Sequence, residues 1–450
     1  MMTVISRAWA IRHLPVLVML LIYLPAACVG QFLFSNEVSR DFLILLFLFT
    51  ATYWFSFPYF SRLYLILVRQ VAVLRQVPTS CWSMLAGACL LIYALVLAYV
   101  SWRAPSVPLL VALKGGSLMD IAHSRSQYLA GLKGYESVLR YAVFILGRSI
   151  LPLILVAAFM ARARSRHALL GFVLVLSLLS MEKAAPIFVL LPLALHFAFA
   201  KHWKTLAAVL LLLASSIMLM TFLAMGGNST AAAPGAATQA SHGEDAQMMV
   251  PPGMPIDRAM APPSRSVLLH HLHVLYGDGK YRLDAATVSG KLTLLFNRIA
   301  WVPYITAYDW LEFQRIVLDG HITNGRSISL VHLLYGEPKV PLEKMVYVFE
   351  YGASPGGQGA SNTVFFVDAK LAFGWLGVLA YCLVFTFCAA CIFTSGSRVL
   401  IVSSIVCFFI ASISSLTATL LSGGLFIYVV LAFLLGDPLK ANAADKEFAR

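Results

Sequence analysis

Runs of about twenty residues without a formal charge recur along this chain, among them Leu14–Phe34, Met84–Val100 and Thr205–Met225. At ~1.5 Å of rise per residue, a helix of that length matches the ~30 Å hydrocarbon core of a bilayer. The remainder of the sequence cannot compensate for so much apolar surface. Hydrophobic residues make up 60% of the 450 residues and charged ones only 12%, where soluble domains carry roughly a quarter charged residues. The pattern predicts an all-α, polytopic integral membrane protein and excludes a soluble globular domain.

About ten spans are expected, at residues 14–34, 42–60, 84–100, 141–160, 168–181, 185–200, 205–225, 372–393, 399–417 and 421–436. The fifth and sixth are short and read as a helical hairpin turning at Ser180–Lys183. The net charge of +13 would suggest a nucleic-acid partner in a soluble chain, but here membrane orientation accounts for much of it, and no nucleic acid is expected. Arg7, Arg12, Arg62, Arg69, Arg162, Arg164 and Lys440 all fall on one side if the spans alternate, which the positive-inside rule makes the cytoplasm. Both termini are then cytoplasmic. The opening resembles a signal peptide ending in the lipobox-like Ala26-Ala27-Cys28, but Pro25 stands where that motif wants Leu, so a retained signal anchor is expected. The seven cysteines lie in or near apolar spans and imply no disulfide framework; Cys388 and Cys391 lack the context of a redox pair.

Three regions follow from this topology. Residues 1–225 form an N-terminal transmembrane region of about seven spans with an external loop at 101–140. Residues 226–364 form one large external loop, and residues 365–450 carry about three further spans and a cytoplasmic tail. The large loop opens with an Ala-, Gly-, Ser- and Pro-rich stretch (226–263) that has little to bury, so flexibility is expected there. From 264 to 364 it carries short amphipathic segments that suit helices on a membrane surface. Gly352–Gly359 lacks the Lys and Ser or Thr of a phosphate-binding loop.

Cations within or beside apolar spans need a partner or a ligand. Lys183 has Glu182 as its neighbour and Lys370 has Asp368 two residues away, whereas Arg148 has no acid nearby in sequence. Arg125, Arg140 and Arg148 line the approach to the fourth span. Guanidinium groups grip phosphate bidentately, and a basic loop attracted to lipid head groups is the alternative. The segment Asn297–Arg315 joins Arg298, Asp309, Glu312 and Arg315 to Trp301, Tyr304, Tyr308 and Trp310 at helical spacing. Aromatic faces stack on sugar rings, and Asp309 or Glu312 could take the proton of a hydroxyl. An interfacial helix with an aromatic belt and a Glu312–Arg315 pair stays open beside that reading. His270, His271 and His273 with Asp278 lack metal-site spacing, and no metal or cofactor is expected; His321 and His332 are further candidate bases.

Taken together, the Tyr141–Met160 span with the following ARARSR, the SMEKAAPIFVLLPL hairpin, the NRIAWVPYITAYDW stretch and Asn362–Leu376 with its FGWLG turn resemble the bacterial O-antigen polymerase (Wzy) family. The likeness is architectural and includes no strict catalytic signature; the 228–263 insertion has no counterpart in it. The resemblance implies a GT-C-like membrane glycosyltransferase of the bacterial inner membrane. Such an enzyme joins undecaprenyl-pyrophosphate-linked oligosaccharide repeats of O-antigen or a related surface polysaccharide on the periplasmic face, with a Wzz-type chain-length regulator as a possible partner. On that footing Arg148, Lys183 and Arg298, with Arg125 and Arg140, are the pyrophosphate-binding candidates, since fixed cations must meet the leaving group. Trp301, Tyr304 and Tyr308 are the sugar-binding candidates, Asp309 the first candidate for general base and Glu312 the second. Two other readings stand: an O-antigen ligase of similar architecture that uses lipid A core as acceptor, and a transporter of polysaccharide or lipid.

Overall fold

The computed structural model describes residues 9, 11–70, 79–116, 118–130, 132, 134–182, 184–225, 301–328, 331, 339–351 and 360–436. Lys183, Arg298, the 226–263 stretch, the histidines at 270, 271, 273 and 332 and Gly352–Gly359 lie outside them. Among the described residues every regular element is helical.

Among the described residues six helices are long and apolar enough to cross a membrane: Leu14–Leu33, Glu37–Gln70, Ser83–Arg103, Val138–Met160, Trp203–Leu223 and Phe365–Thr394. Several turn large apolar side chains outward, including Phe32, Phe47, Phe55, Leu211 and Phe222. Such surface costs about 25 cal/mol per Å² in water and suits contact with lipid. Four shorter apolar helices, Arg166–Leu178, Ala185–Phe199, Arg398–Ala411 and Leu425–Leu435, occupy the remaining expected spans. At 10–17 residues each they rise only about 15–25 Å. Hydropathy continues through residues where the backbone turns, so the sequence pattern overstates their length. Leu179–Ala184 separates two of them, and Gly424, at φ 76°, begins the last.

By spatial contact the chain forms two compact units, one of Met1–Tyr64, Met248–Ala390 and Phe408–Thr419, the other of Leu65–Gln247, Cys391–Cys407 and Leu420–Arg450. The first has an aromatic core. Phe365 stacks on Phe385 at 4.8 Å between ring centroids, and Phe49 stacks on Phe366 at 5.7 Å. Tyr304 from helix Val302–Ile316 meets Phe42 edge-on and presses against the bare backbone of Gly30. Only glycine allows that approach, because a Cβ at position 30 would overlap the phenol ring. Helix Glu37–Gln70 starts at Asn36, whose Oδ1 accepts from the Ser39 N–H at 2.9 Å, satisfying an N-terminal donor that has no partner inside the helix. The same Asn36 donates from Nδ2 to the Tyr308 hydroxyl, so one side chain ties the start of this helix to Val302–Ile316.

The second unit packs Leu151, Leu155, Val156, Leu190, Leu193 and Val402 into an aliphatic core. Its Val138–Met160 helix is interrupted by a π-helical turn at Leu146–Ile150. Within that turn Ser149 donates from its hydroxyl to the Gly423 carbonyl at 2.9 Å, and the Ser149 carbonyl accepts from the Tyr428 hydroxyl at 2.9 Å. Single π turns of this kind re-aim one side chain; here the turn carries Arg148.

Candidate functional site

In the first unit, helix Phe365–Thr394 is broken at Gly374, where φ is 70° and ψ −159°. Only glycine holds that backbone region without strain, and a Cβ there would meet nothing closer than 3.8 Å, so the constraint is conformational, not one of space. At the break the carbonyls of Leu371 and Ala372 accept from the N–H groups of Thr323 (2.9 Å) and Gly325 (3.0 Å). The short segment after Val302–Ile316 is thereby bonded to the kink. Immediately after the kink Trp375 stands 43% exposed.

Trp375 borders a cavity of about 380 Å³ lined also by Glu37, Asp41, Gln314, Arg315, Lys370 and apolar neighbours including Leu311 and Ile322. That volume lies within the range of small-molecule sites, ~300–1,000 Å³. Among the described residues two ion pairs form its polar wall. Lys370 Nζ donates to Asp41 Oδ2 at 2.6 Å, and Arg315 lies 3.2 Å from Glu37. The Lys370 ammonium also sits over the Trp375 ring, 4.8 Å from its centroid, an attractive cation–π placement. The two pairs differ in weight. Arg315 and Glu37 are both more than half exposed and add little stability, whereas the Lys370 side chain is only 11% exposed and depends on its partner. Neither pairing is the one suggested by nearness in sequence: Lys370 takes Asp41, not Asp368, and Arg315 takes Glu37, not Glu312.

Helix Val302–Ile316 offers Leu311, Gln314 and Arg315 to this cavity and turns most of its other residues inward. Tyr304 and Tyr308 are fully buried, Asp309 is 1% exposed and Glu312 8%; Trp301 is half-buried. Burial raises the Glu312 carboxyl above its usual pKa, with Arg315 opposing, and its Oε2 has no hydrogen-bond partner among the described residues. Burial likewise raises the Tyr304 and Tyr308 phenols. Farther along, Trp310 donates from its indole N–H to Ser361 Oγ at 3.1 Å, and Ser361 donates to Glu350 Oε1 at 2.7 Å. Burial pushes the Glu350 carboxyl up to about 7, against the lowering effect of that hydrogen bond.

Arg148, Arg125 and Arg140 belong to the second unit. Arg148 lies 3.6 Å from Glu182, with its guanidinium over the rings of Phe144 (4.3 Å) and Phe188 (5.4 Å). The acid that Arg148 lacks in sequence is thus supplied by the hairpin turn. The adjoining cavity, bordered by Tyr93, Tyr128, Ser177 and Ser180, holds about 60 Å³, room for a few waters and not for a sugar. Arg125 is exposed on helix Leu118–Ala130, and Arg140 sits over the Tyr141 ring at 5.9 Å. Among the described residues no group of three or more His, Cys, Asp and Glu side chains could hold a metal ion.

Of the residues that the sequence marks as candidates, the structure gathers Tyr304, Tyr308, Asp309 and Glu312 on one helix with Trp301 at its N-cap and leaves Arg125, Arg140 and Arg148 in the other unit. Glu37, Asp41 and Trp375 are not among those candidates. Their signal in the sequence is weak: acids just inside the start of a long apolar run, and a tryptophan after a glycine. Compared with known proteins, the chain matches no family, no curated protein and no solved structure.

Proposed function

We propose that this chain is a multi-pass glycosyltransferase of the bacterial inner membrane that polymerises undecaprenyl-pyrophosphate-linked oligosaccharide repeats on the periplasmic face. The observation that carries the reading is the 380 Å³ cavity at the starts of two candidate membrane helices, where an indole face meets two carboxylates and two cations. Apolar helices ending in a polar, aromatic-bordered cavity suit a substrate that is lipid at one end and sugar at the other. With basic segments placed in the cytoplasm, the cavity opens to the periplasm.

In the reaction, an acceptor sugar hydroxyl attacks the anomeric carbon of the donor glycan. The bond from that carbon to the lipid pyrophosphate breaks, the electron pair leaves with the pyrophosphate, and the hydroxyl proton passes to a base. Glu312, with Asp309 beside it on the same helix, is proposed for that last role: burial raises its carboxyl, and a base poised nearer neutrality works more effectively. Arg298, on the same stretch of sequence as Glu312, is proposed to meet the pyrophosphate, where a well-placed donor contributes roughly 10²–10³ in rate.

The test is the surface-polysaccharide banding pattern on a gel from cells lacking the gene, with and without the wild-type copy. Collapse of the ladder to a single repeat in the deletion, restored by the wild type, supports polymerisation. Loss of all glycan from lipid A core while polymer accumulates on the carrier indicates a ligase, and an unchanged ladder rejects both.

A further inference from the structure

We infer that the cavity bordered by Trp375 is a saccharide subsite that takes an uncharged sugar ring, and that it does not hold the pyrophosphate of a lipid-linked substrate. This rests on reading the cavity as part of a glycosyltransferase, but it concerns binding alone.

Charge decides between the two ligand chemistries. Among the described residues the wall carries two cations, Arg315 and Lys370, and two carboxylates, Glu37 and Asp41, so their formal charges cancel. Each cation is already in contact with a carboxylate, at 3.2 Å and 2.6 Å. A pyrophosphate brings about two negative charges and would have to take Lys370 from Asp41 while lying beside both acids, and like charges at that range repel. Lys370 is the worse one to free, because its side chain is mostly buried and would leave Asp41 without a counter-charge.

A sugar ring requires none of this. Its hydroxyls donate to carboxylates and accept from ammonium, guanidinium and amide groups, and Gln314, whose Nε2 also donates to the His321 carbonyl at 3.5 Å, adds an amide to the same wall. Its C–H face packs on an aromatic ring. The Lys370 ammonium occupies one face of the Trp375 indole, and at 43% exposure the ring keeps surface for a ligand. The Gly374 kink sets the direction of this platform, since φ 70° turns the helix immediately before Trp375. Asp41 is held by Lys370 at 2.6 Å before any ligand arrives, so little ordering of that carboxylate is needed on binding.

The experiment uses the full chain in lipid nanodiscs and saturation-transfer NMR. The probes are methyl glucoside, methyl galactoside, N-acetylglucosamine and inorganic pyrophosphate; the proteins are wild type, Trp375→Ala, Trp375→Phe and Asp41→Asn. The expected result is transfer to at least one sugar in wild type, weakened about tenfold by Trp375→Ala, largely kept by Trp375→Phe, reduced by Asp41→Asn, and not displaced by pyrophosphate. Trp375→Phe keeps an aromatic ring at a half-exposed position, and thermal unfolding of Trp375→Ala at the wild-type temperature shows that its lost binding is not misfolding. Absence of transfer to every sugar, transfer unaffected by Trp375→Ala, or displacement by pyrophosphate overturns the inference. The outcome is separable from the enzymatic reading. Sugar binding in a protein whose deletion leaves the polysaccharide ladder intact keeps the subsite and rejects the polymerase, and a collapsed ladder with no Trp375-dependent binding does the reverse.

Discussion

Lys370 and Asp41 are 329 residues apart in the chain and 2.6 Å apart in space. The bond joins the first turns of helix Glu37–Gln70 to those of helix Phe365–Thr394 within one unit, and it forms a wall of the candidate site. A mostly buried ammonium left without its carboxylate is costly, since hydrogen bonds to charged groups are worth ~1.5–3 kcal/mol. Asp41→Ala is therefore expected to lower stability by about 2 kcal/mol. The double variant Asp41→Asn with Lys370→Met should lose less than Asp41→Ala alone, because it leaves no charge uncompensated. Thermal unfolding in detergent followed by tryptophan fluorescence reads both; equal losses in the two proteins would show that the pair is not coupled.

Gly374→Ala is expected to destabilise by about 1–3 kcal/mol, the cost of an L-residue in a region of backbone space reserved for glycine. The substitution should also weaken sugar binding at Trp375, because the helix would tend to straighten through the kink. Gly87→Ala provides the control. Gly87 also lies on an apolar helix, has nothing among the described residues within 4 Å of its would-be Cβ and has no left-handed φ, so the substitution should be neutral or slightly stabilising there. Equal behaviour of the two variants in thermal unfolding would show that the kink imposes no such demand on residue 374.

Glu350 makes stability depend on pH. Its carboxyl is raised in the fold from 4.5 to about 7, so the folded state holds a proton that the unfolded chain gives up. The resulting stability is fully present below pH 4.5 and is lost as pH rises through 7. Unfolding temperature is expected to fall across that window in wild type and to fall less in Glu350→Gln, which keeps an acceptor for Ser361 without the charge. A steeper decline in the variant would contradict this account.

Arg148 is held by Glu182 at 3.6 Å and by two phenylalanine rings. Both charged side chains keep a quarter to a third of their exposure, so the pair is discounted below a fully buried one. Arg148→Ala should cost about 1–2 kcal/mol in stability. Arg148→Met, which refills the space between the rings, should recover part of that. If Arg148 also meets pyrophosphate, Arg148→Met will recover stability without recovering transfer. Recovery of both would make its role purely structural.

Much of the fold is legible in the sequence because hydropathy reports burial in lipid directly. The six long helices coincide with expected spans to within a few residues at most ends, although Glu37–Gln70 and Phe365–Thr394 extend beyond them. The four short helices are harder to recognise, since residues such as Leu179 and Met181 are apolar whether they continue a helix or turn it. At the site, the Val302–Ile316 segment is visible from its mixed aromatic and acidic composition, but the direction of its side chains is not. Tyr304 and Tyr308 pack inward against Gly30 and Asn36, and only tertiary packing reveals that. Ion pairs are the least legible. Arg148, Arg315 and Lys370 all choose partners distant in sequence, because the helices that bring them together are assembled from separate parts of the chain.

The central claim is that the chain transfers glycan with Glu312 as the proton acceptor. Purified protein in proteoliposomes, supplied with undecaprenyl-pyrophosphate-linked repeat units, should extend them into a ladder, and Glu312→Gln should slow extension by ~10²-fold or more at unchanged thermal stability. The acid limb of the wild-type rate should lie above the ordinary carboxylate value of 4.5, since burial raises Glu312 and protonation removes its acceptor. Wild-type protein that leaves the repeats unextended, or a Glu312→Gln protein that extends them at the wild-type rate, would contradict the account.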